Sequence, residues 1–419
     1  MEMTTSGAGA LRDYIVVNGK SYRKPQRTTV VICFDGCDPA YIESASQAGV
    51  TPTLDAMRSG GHFALADAAM PTFTNPNNVS IVCGAPPSVH GVAGNFYLDR
   101  ATGETVMMLD AALMRAPTIL AGLAELGSAV AVVTAKDKLR KALAFGLDGI
   151  AFSAECAEGT TEDEHGIADA AGFVGLARPD QYSAELSLFV LDAGIRLIEA
   201  GRAQVLYLSL SDYVQHKHAP TAPEALAFMA AVDARVARLV ALGAVVGITA
   251  DHGMSDMANP NGTPRVTYLG DTLDAAFGEG ATRVICPITD PFVRHHGALG
   301  GFVRVHLLKE GVSADAVRDL LLAQPGVALA LTGDEAAARF EMPADREADF
   351  VVVGATGVAL GARSADHDVT QLAGERLRSH GGLSEQRVPF LLSHPVENAH
   401  EGGRLRNFDI FDYALNRVG

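Results

Sequence analysis

Three short apolar runs in this chain each end on an acid, and this repetition limits the fold more than any other feature. Val30-Val31-Ile32-Cys33-Phe34 leads into Asp35. Val205-Leu206-Tyr207-Leu208 leads into Asp212, with His216 four residues on. Ala244-Val245-Val246-Gly247-Ile248 leads into Asp251-His252-Gly253. Short apolar runs without alternation suit strands buried on both faces, as in a parallel sheet covered by helices. In open sheets of that kind the carboxyl ends of the strands line the ligand crevice. Three acids there, with the imidazoles of His216, His252 and His380, would make a two-metal site suited to phosphoryl transfer.

From residue 28 strand and helix patterns alternate: a strand over 129–133, helices over 139–145 and 184–200, a strand over 205–210 and a helix over 223–242. This order predicts an α/β fold, a mostly parallel sheet sandwiched by helices. Residues 1–27 read as an N-terminal arm with a short strand over 14–17. The pattern changes after the turn cluster Asn259-Pro260-Asn261-Gly262. Strands over 302–306, 327–331 and 350–353 then alternate with helices over 313–322 and 334–340, a compact α+β unit. His380 and a strand over 388–392 lie beyond it. The expected organisation is therefore a metal-binding core of 28–264 and 371–419, with 265–370 as an inserted α+β cap.

The formal net charge of −16, with no basic run, argues against nucleic acid or an anionic membrane as partner. No stretch of about 18 apolar residues suggests a membrane span. The five cysteines are odd in number and form no CxxC pair, which fits a reducing cytoplasm better than an oxidising compartment. Residues 1–10 lack the basic start and apolar stretch of a signal peptide.

In Pro71-Thr72-Phe73-Thr74-Asn75-Pro76-Asn77, Asn75 suits an N-cap and Pro76 the first helical position. Thr74 would then sit just before a helix N-terminus, where free N–H groups favour a phosphate. Metal coordination can activate such a hydroxyl. Taken alone, the segment reads first as an ordinary first turn of a surface helix, and only the other ligands turn it toward a nucleophile.

The ligand types support a metal on their own terms. Aspartate with histidine suits Zn, Mn or Fe, and three imidazoles favour Zn over Mg. Asp212 and His216 would share a face one helical turn apart, though such a pair alone is an ordinary ion pair or cap. His380 is weak by itself. His218 reads as a surface or supporting residue, and His295 and His296 as part of the cap. Lys136 and Lys138 follow the strand over 129–133; in extended chain they would point the same way, and in a helix they would not. Two ammonium groups suit a substrate with a carboxylate next to the reacting phosphorus; the alternative is a solvated helix start.

Phe34-Asp35-Gly36, the segment from Pro71 to Asn77, His90-Gly91 with Gly94-Asn95, and Asp251-His252-Gly253-Met254 resemble the alkaline phosphatase superfamily. The match is to its nucleotide pyrophosphatase/phosphodiesterase branch. The resemblance implies that Asp35, Thr74, Asp251 and His252 bind one zinc and that Asp212, His216 and His380 bind a second. It implies Thr74 as nucleophile and Asn95 as a hydrogen-bond donor to a phosphoryl oxygen. The segment Thr134-Ala135-Lys136-Asp137-Lys138-Leu139 tilts the resemblance toward hydrolysis of the C–P bond of phosphonoacetate, with Lys136 and Lys138 on the substrate. The expected partner is thus a small phosphonate, and a homodimer is left open. One alternative is a nucleotide phosphodiesterase or phosphate monoesterase on the same core, which would want a base-stacking slot. The other is a non-catalytic phosphonate sensor, which would have no use for a nucleophile.

Overall fold

The computed structural model describes residues 13–108, 111–289, 296–372, 374–399 and 403–419. Its centre is a seven-stranded sheet in the order His62–Asp67, Arg387–Leu392, Val245–Thr249, Thr29–Cys33, Val205–Ser209, Val130–Thr134, Ile150–Ser153. The five strands from Val245–Thr249 to Ile150–Ser153 are parallel, and Arg387–Leu392 runs antiparallel to both its neighbours. Every residue of Thr29–Cys33, Val205–Ser209 and Val245–Thr249 is buried, as the continuous apolar runs require. The expected mostly parallel α/β sheet is thus present.

Helices cover this sheet. Pro223–Ala241 starts on a proline, whose missing N–H costs nothing in a first turn, and buries Ala225, Phe228, Met229, Val232, Val236 and Leu239. That three-to-four-residue spacing makes one apolar stripe. Truncating a residue such as Phe228 to alanine would cost about 3–5 kcal/mol. The buried acid in the stripe, Asp233, accepts from the N–H groups of Thr53 (3.2 Å) and Leu54 (2.8 Å) in the first turn of helix Pro52–Gly60. Its charge therefore meets the positive end of a helix.

A second, four-stranded antiparallel sheet has the order Thr282–Ile285, Phe302–Leu307, Phe350–Gly354, Val327–Thr332. It has its own apolar core, including Val303, Val305, Val317, Phe350 and Val352. Arg304 and Glu347 form an ion pair of 2.6 Å beneath it, both side chains 1% exposed. The Arg304 guanidinium also donates to the Ala93 carbonyl at 3.2 Å, tying this sheet to the loop that carries Asn95. The chain then returns to the large sheet through Arg387–Leu392.

Within these two sheets three strands carry no clear sequence signal: His62–Asp67, Ile150–Ser153 and Thr282–Ile285. Each lies at the edge of its sheet and pairs on one side only; His62–Asp67 is mostly half-buried, and Ile150–Ser153 and Thr282–Ile285 are four residues each, too short to show a period. Tyr14–Val17 does form a strand, in a hairpin with Lys20–Arg23 whose Val17 and Tyr22 enter the main core. Among the described residues no helix is long and apolar enough to cross a membrane.

Candidate active site

Three strand ends deliver the acids to one place. Thr29–Cys33 is the middle strand, flanked by Val205–Ser209 and Val245–Thr249, so Asp35, Asp212 and Asp251 emerge side by side. Gly36 permits the close approach. Its φ is +67°, and a Cβ there would stand 3.0 Å from the Cβ of Asp212. Asp212 is the N-cap residue of the short helix Tyr213–Lys217, but its side chain makes no cap hydrogen bond, and its Oδ2 lies 2.9 Å from His216 Nε2.

The imidazoles share one arrangement. The Nδ1 of His216 lies 2.6 Å from the Arg378 carbonyl, that of His252 2.9 Å from the Gly253 carbonyl and that of His380 2.8 Å from the Thr72 carbonyl. A carbonyl only accepts, so each Nδ1 carries a proton, and in the neutral ring the Nε2 lone pair is the one turned to the site, the usual support of a metal-binding histidine. The Nε2 of His252 lies 3.3 Å from Asp35 Oδ1, 3.3 Å from Thr74 Oγ1 and 3.7 Å from Asp251 Oδ2. His380 Nε2 lies 3.8 Å from Asp212 Oδ2. Ligands at ~2.0 Å from a tetrahedral ion are ~3.3 Å apart, so these spacings suit coordination shells.

Among the described residues, ligand atoms form two groups, Asp212 with His216 and His380, and Asp35 with Asp212 and His252. Asp212 belongs to both and stands between them. Burial, with the carboxylates of Asp212 and Asp251, pushes Asp35 well above the usual carboxyl range. Burial, with Asp212, pushes Asp251 up to about 7. Burial, with His252 and His216 beside it, pushes His380 well below the usual imidazole range. Asp35 Oδ1 is also buried without a hydrogen-bond partner. Crowded acids, inward lone pairs and this orphaned oxygen fit bound cations.

Helix Thr74–Cys83 begins at Thr74, with Phe73 as the extended N-cap residue. The expected start at Asn75 and Pro76 is therefore two residues late. Extended Phe73 begins the helix without a side-chain cap, and its carbonyl accepts from Asn77 N–H at 3.3 Å. Pro76 then falls within the first turn, where its missing N–H is harmless. Thr74 keeps its place at the positive end of the helix.

One cavity is bordered by Asp35, Thr74, Asn95, Lys136, Lys138, Asp212, His296 and His380. Lys136 is the extended cap of helix Asp137–Leu143, whereas Lys138 already lies in its first turn. The two reach one cavity because the chain changes from strand to helix between them, not because it stays extended. Asn95 is held by the second sheet's approach: its N–H donates to the Pro287 carbonyl (2.8 Å) and its Nδ2 to the Ile288 carbonyl (3.1 Å).

Two residues at the site escaped the sequence reading. His296, expected to belong to the cap alone, is 3% exposed and borders this cavity; His295 lies outside the described residues. Asn78, buried inside the Thr74 helix, donates through Nδ2 to Asp251 Oδ2 and to the Thr74 carbonyl, both at 3.1 Å. Its Oδ1 accepts from Tyr207 OH and Ser209 Oγ, both at 2.8 Å. His218 lies outside the ligand groups, with its ring 3.6 Å from Glu224.

A parallel sheet carrying acids and imidazoles at its carboxyl edge, with a hydroxyl at a helix N-terminus, defines a phosphoryl-transfer hydrolase core. The type I phosphodiesterase / nucleotide pyrophosphatase family model matches residues 29–366, and the chain belongs to that family. Over nearly its whole length the chain is similar to phosphonoacetate hydrolase from Sinorhizobium meliloti 1021. Crystal structures of that enzyme in complex with phosphonoformate and with phosphonoacetate give TM-scores of 0.93 and 0.92. Identity is 44%, over 97% of this chain and 99% of that one. Murine ectonucleotide pyrophosphatase / phosphodiesterase 5 shares the fold, with a TM-score of 0.63 and 18% identity over 92% of this chain and 93% of that one. A phosphonoacetate hydrolase of Penicillium oxalicum is 58% identical over 31 residues, 7% of this chain and 43% of that relative's length.

Proposed function

We propose that the chain hydrolyses the C–P bond of phosphonoacetate to acetate and phosphate, through a phosphothreonine at Thr74. The observation that carries this reading is the meeting of Lys136 and Lys138 with Thr74, Asp35, Asp212 and His380 in one cavity. The similarity to the Sinorhizobium phosphonoacetate hydrolase supports it.

Asp35, Thr74, Asp251 and His252 would hold one zinc ion, and Asp212, His216 and His380 a second. Such ions supply Lewis acidity, which offsets the crowded carboxylates and the phosphonate and acidifies the Thr74 hydroxyl and a water. Thr74 Oγ1, its proton passed to water, attacks phosphorus in line, forming a P–O bond as the P–C bond breaks on the opposite side. The bonding pair stays on carbon and spreads into the adjacent carboxylate as an enediolate, which takes a proton from water to give acetate. Lys136 and Lys138 face the charge that grows on that carboxylate. The second N–H of Asn95 Nδ2 donates to a phosphoryl oxygen. Water then cleaves the phosphothreonine P–O bond, returning a proton to Thr74 Oγ1 and releasing phosphate.

The four-stranded sheet supports reading 265–370 as a cap inserted into the core, since the large sheet resumes after it. Five free cysteines, four of them buried, agree with a reducing cytoplasm. A nucleotide substrate fits less well, because no Phe, Tyr or Trp borders the cavity among the described residues. Turnover of phosphonoacetate, 2-aminoethylphosphonate, phosphonopyruvate and a nitrophenyl phosphodiester by the zinc-loaded protein tests the proposal. Phosphonoacetate should be preferred; preference for the diester would replace this reading with the phosphodiesterase one.

A further inference from the structure

Resting on that reading, we infer that His296 is a neutral hydrogen-bond donor to the substrate carboxylate, on the leaving-group side of the cavity. The ring is buried, borders the cavity and lies 5.5 Å from the His216 ring, centroid to centroid. The Ala298 N–H donates to its Nδ1 at 3.1 Å. A backbone amide only donates, so this Nδ1 holds the lone pair and the neutral ring carries its proton on Nε2.

This is the reverse of the three ligand histidines. His216, His252 and His380 have their Nδ1 atoms against carbonyls and so present Nε2 lone pairs. An Nε2 that carries a proton cannot ligate a metal. Consistently, the group of Asp212, His216 and His380 closes without His296 among the described residues. The neutral ring can therefore give a hydrogen bond through Nε2, and it borders the same cavity as Lys136 and Lys138.

Its position selects the end of the substrate. Thr74 Oγ1 stands beside His252, in one ligand group, whereas His296 stands beside His216, in the other. In-line attack by Thr74 puts the departing fragment away from Thr74. His296 then faces the carboxylate together with Lys136 and Lys138. A hydrogen bond to that carboxylate strengthens as charge moves onto it from the breaking bond, so part of the effect belongs to the turnover step.

Three variants of the full-length, zinc-loaded protein test this. His296→Ala should lower kcat/KM for phosphonoacetate roughly 10- to 150-fold, with kcat sharing the loss and the metal content unchanged by elemental analysis. His296→Gln, which returns an N–H at similar reach, should recover activity to within a few-fold of wild type. His296→Phe, which fills the space without a donor, should not. Hydrolysis of 4-nitrophenyl phosphate, which lacks the carboxylate, should change only slightly in all three. Loss of a metal ion in His296→Ala would make the residue a ligand and overturn the inference. Equal losses on both substrates, or a Phe variant as active as the Gln variant, would also overturn it. If the wild type itself fails to turn over phosphonoacetate, the functional reading falls and this inference with it. If the wild type succeeds and the variants miss this pattern, the donor role alone falls.

Discussion

Replacing Asn78 by alanine removes a side chain that joins the Thr74 helix, Asp251 and the central sheet. On the sheet side, Tyr207 OH and Ser209 Oγ both donate to Asn78 Oδ1 at 2.8 Å, and both residues are buried. Each stranded hydroxyl costs about 1–3 kcal/mol, so the metal-free protein should lose about 2–6 kcal/mol of stability. That is a large share of the roughly 5–15 kcal/mol that holds a typical domain folded. On the site side, Asp251 Oδ2 loses the Nδ2 donor at 3.1 Å, while Oδ1 keeps the N–H groups of Gly36 and His252. The carboxylate stays in place but is free to turn, and zinc affinity there should fall about 10- to 100-fold, as when other supports of metal ligands are removed. Urea unfolding of the metal-free protein reads the first effect, and zinc titration against a competing chelator the second. Tyr207→Phe is the control. It removes one donor and leaves Asn78 in place, so it should cost about 0.5–1.5 kcal/mol and leave zinc affinity alone. Wild-type zinc affinity in Asn78→Ala, or equal weakening in Tyr207→Phe, would refute the argument that Asn78 positions Asp251.

Thr74→Ala should lose turnover by several orders of magnitude while still binding zinc, because no phosphothreonine can form, and Thr74→Ser should keep part of it; steady-state kinetics on the metal-loaded variants decide. Lys136→Ala and Lys138→Ala should each lower kcat/KM for phosphonoacetate roughly 10- to 150-fold and alter nitrophenyl ester hydrolysis little. Equal losses on both substrates would leave the lysines a general anion role. Chelation should abolish activity, and zinc should restore it more fully than magnesium. Elemental analysis should find about two ions per chain, and His380→Ala should retain fewer. An unchanged metal content in that variant would remove His380 from the site.

The family resemblance read from the motifs around Asp35, Thr74, Asn95 and Asp251 is borne out by the match over residues 29–366. The central strands were legible because burial on both faces demands continuous apolar runs, as in Val245–Thr249. The edge strands His62–Asp67 and Ile150–Ser153 were not: the first is half-buried along most of its length, and the second, though buried throughout, is only four residues long. The acids were legible for a related reason: a parallel strand has one end at the crevice, so a polar residue just past a buried run has few other places to go. What the sequence alone determined is therefore the sheet, its polarity and the residue types at its carboxyl edge. Only the tertiary structure decided which atoms those residues present. His216 owes its orientation to the carbonyl of Arg378, His380 to that of Thr72, and His296 to the N–H of Ala298. Asp251 is oriented by Asn78, which lies more than a hundred residues away in the chain. Every residue has a backbone N–H or carbonyl of this kind, proline's missing N–H apart, so a sequence carries no mark of which one will meet an imidazole. That meeting, which makes one histidine a ligand and another a donor, is set only when the chain has folded.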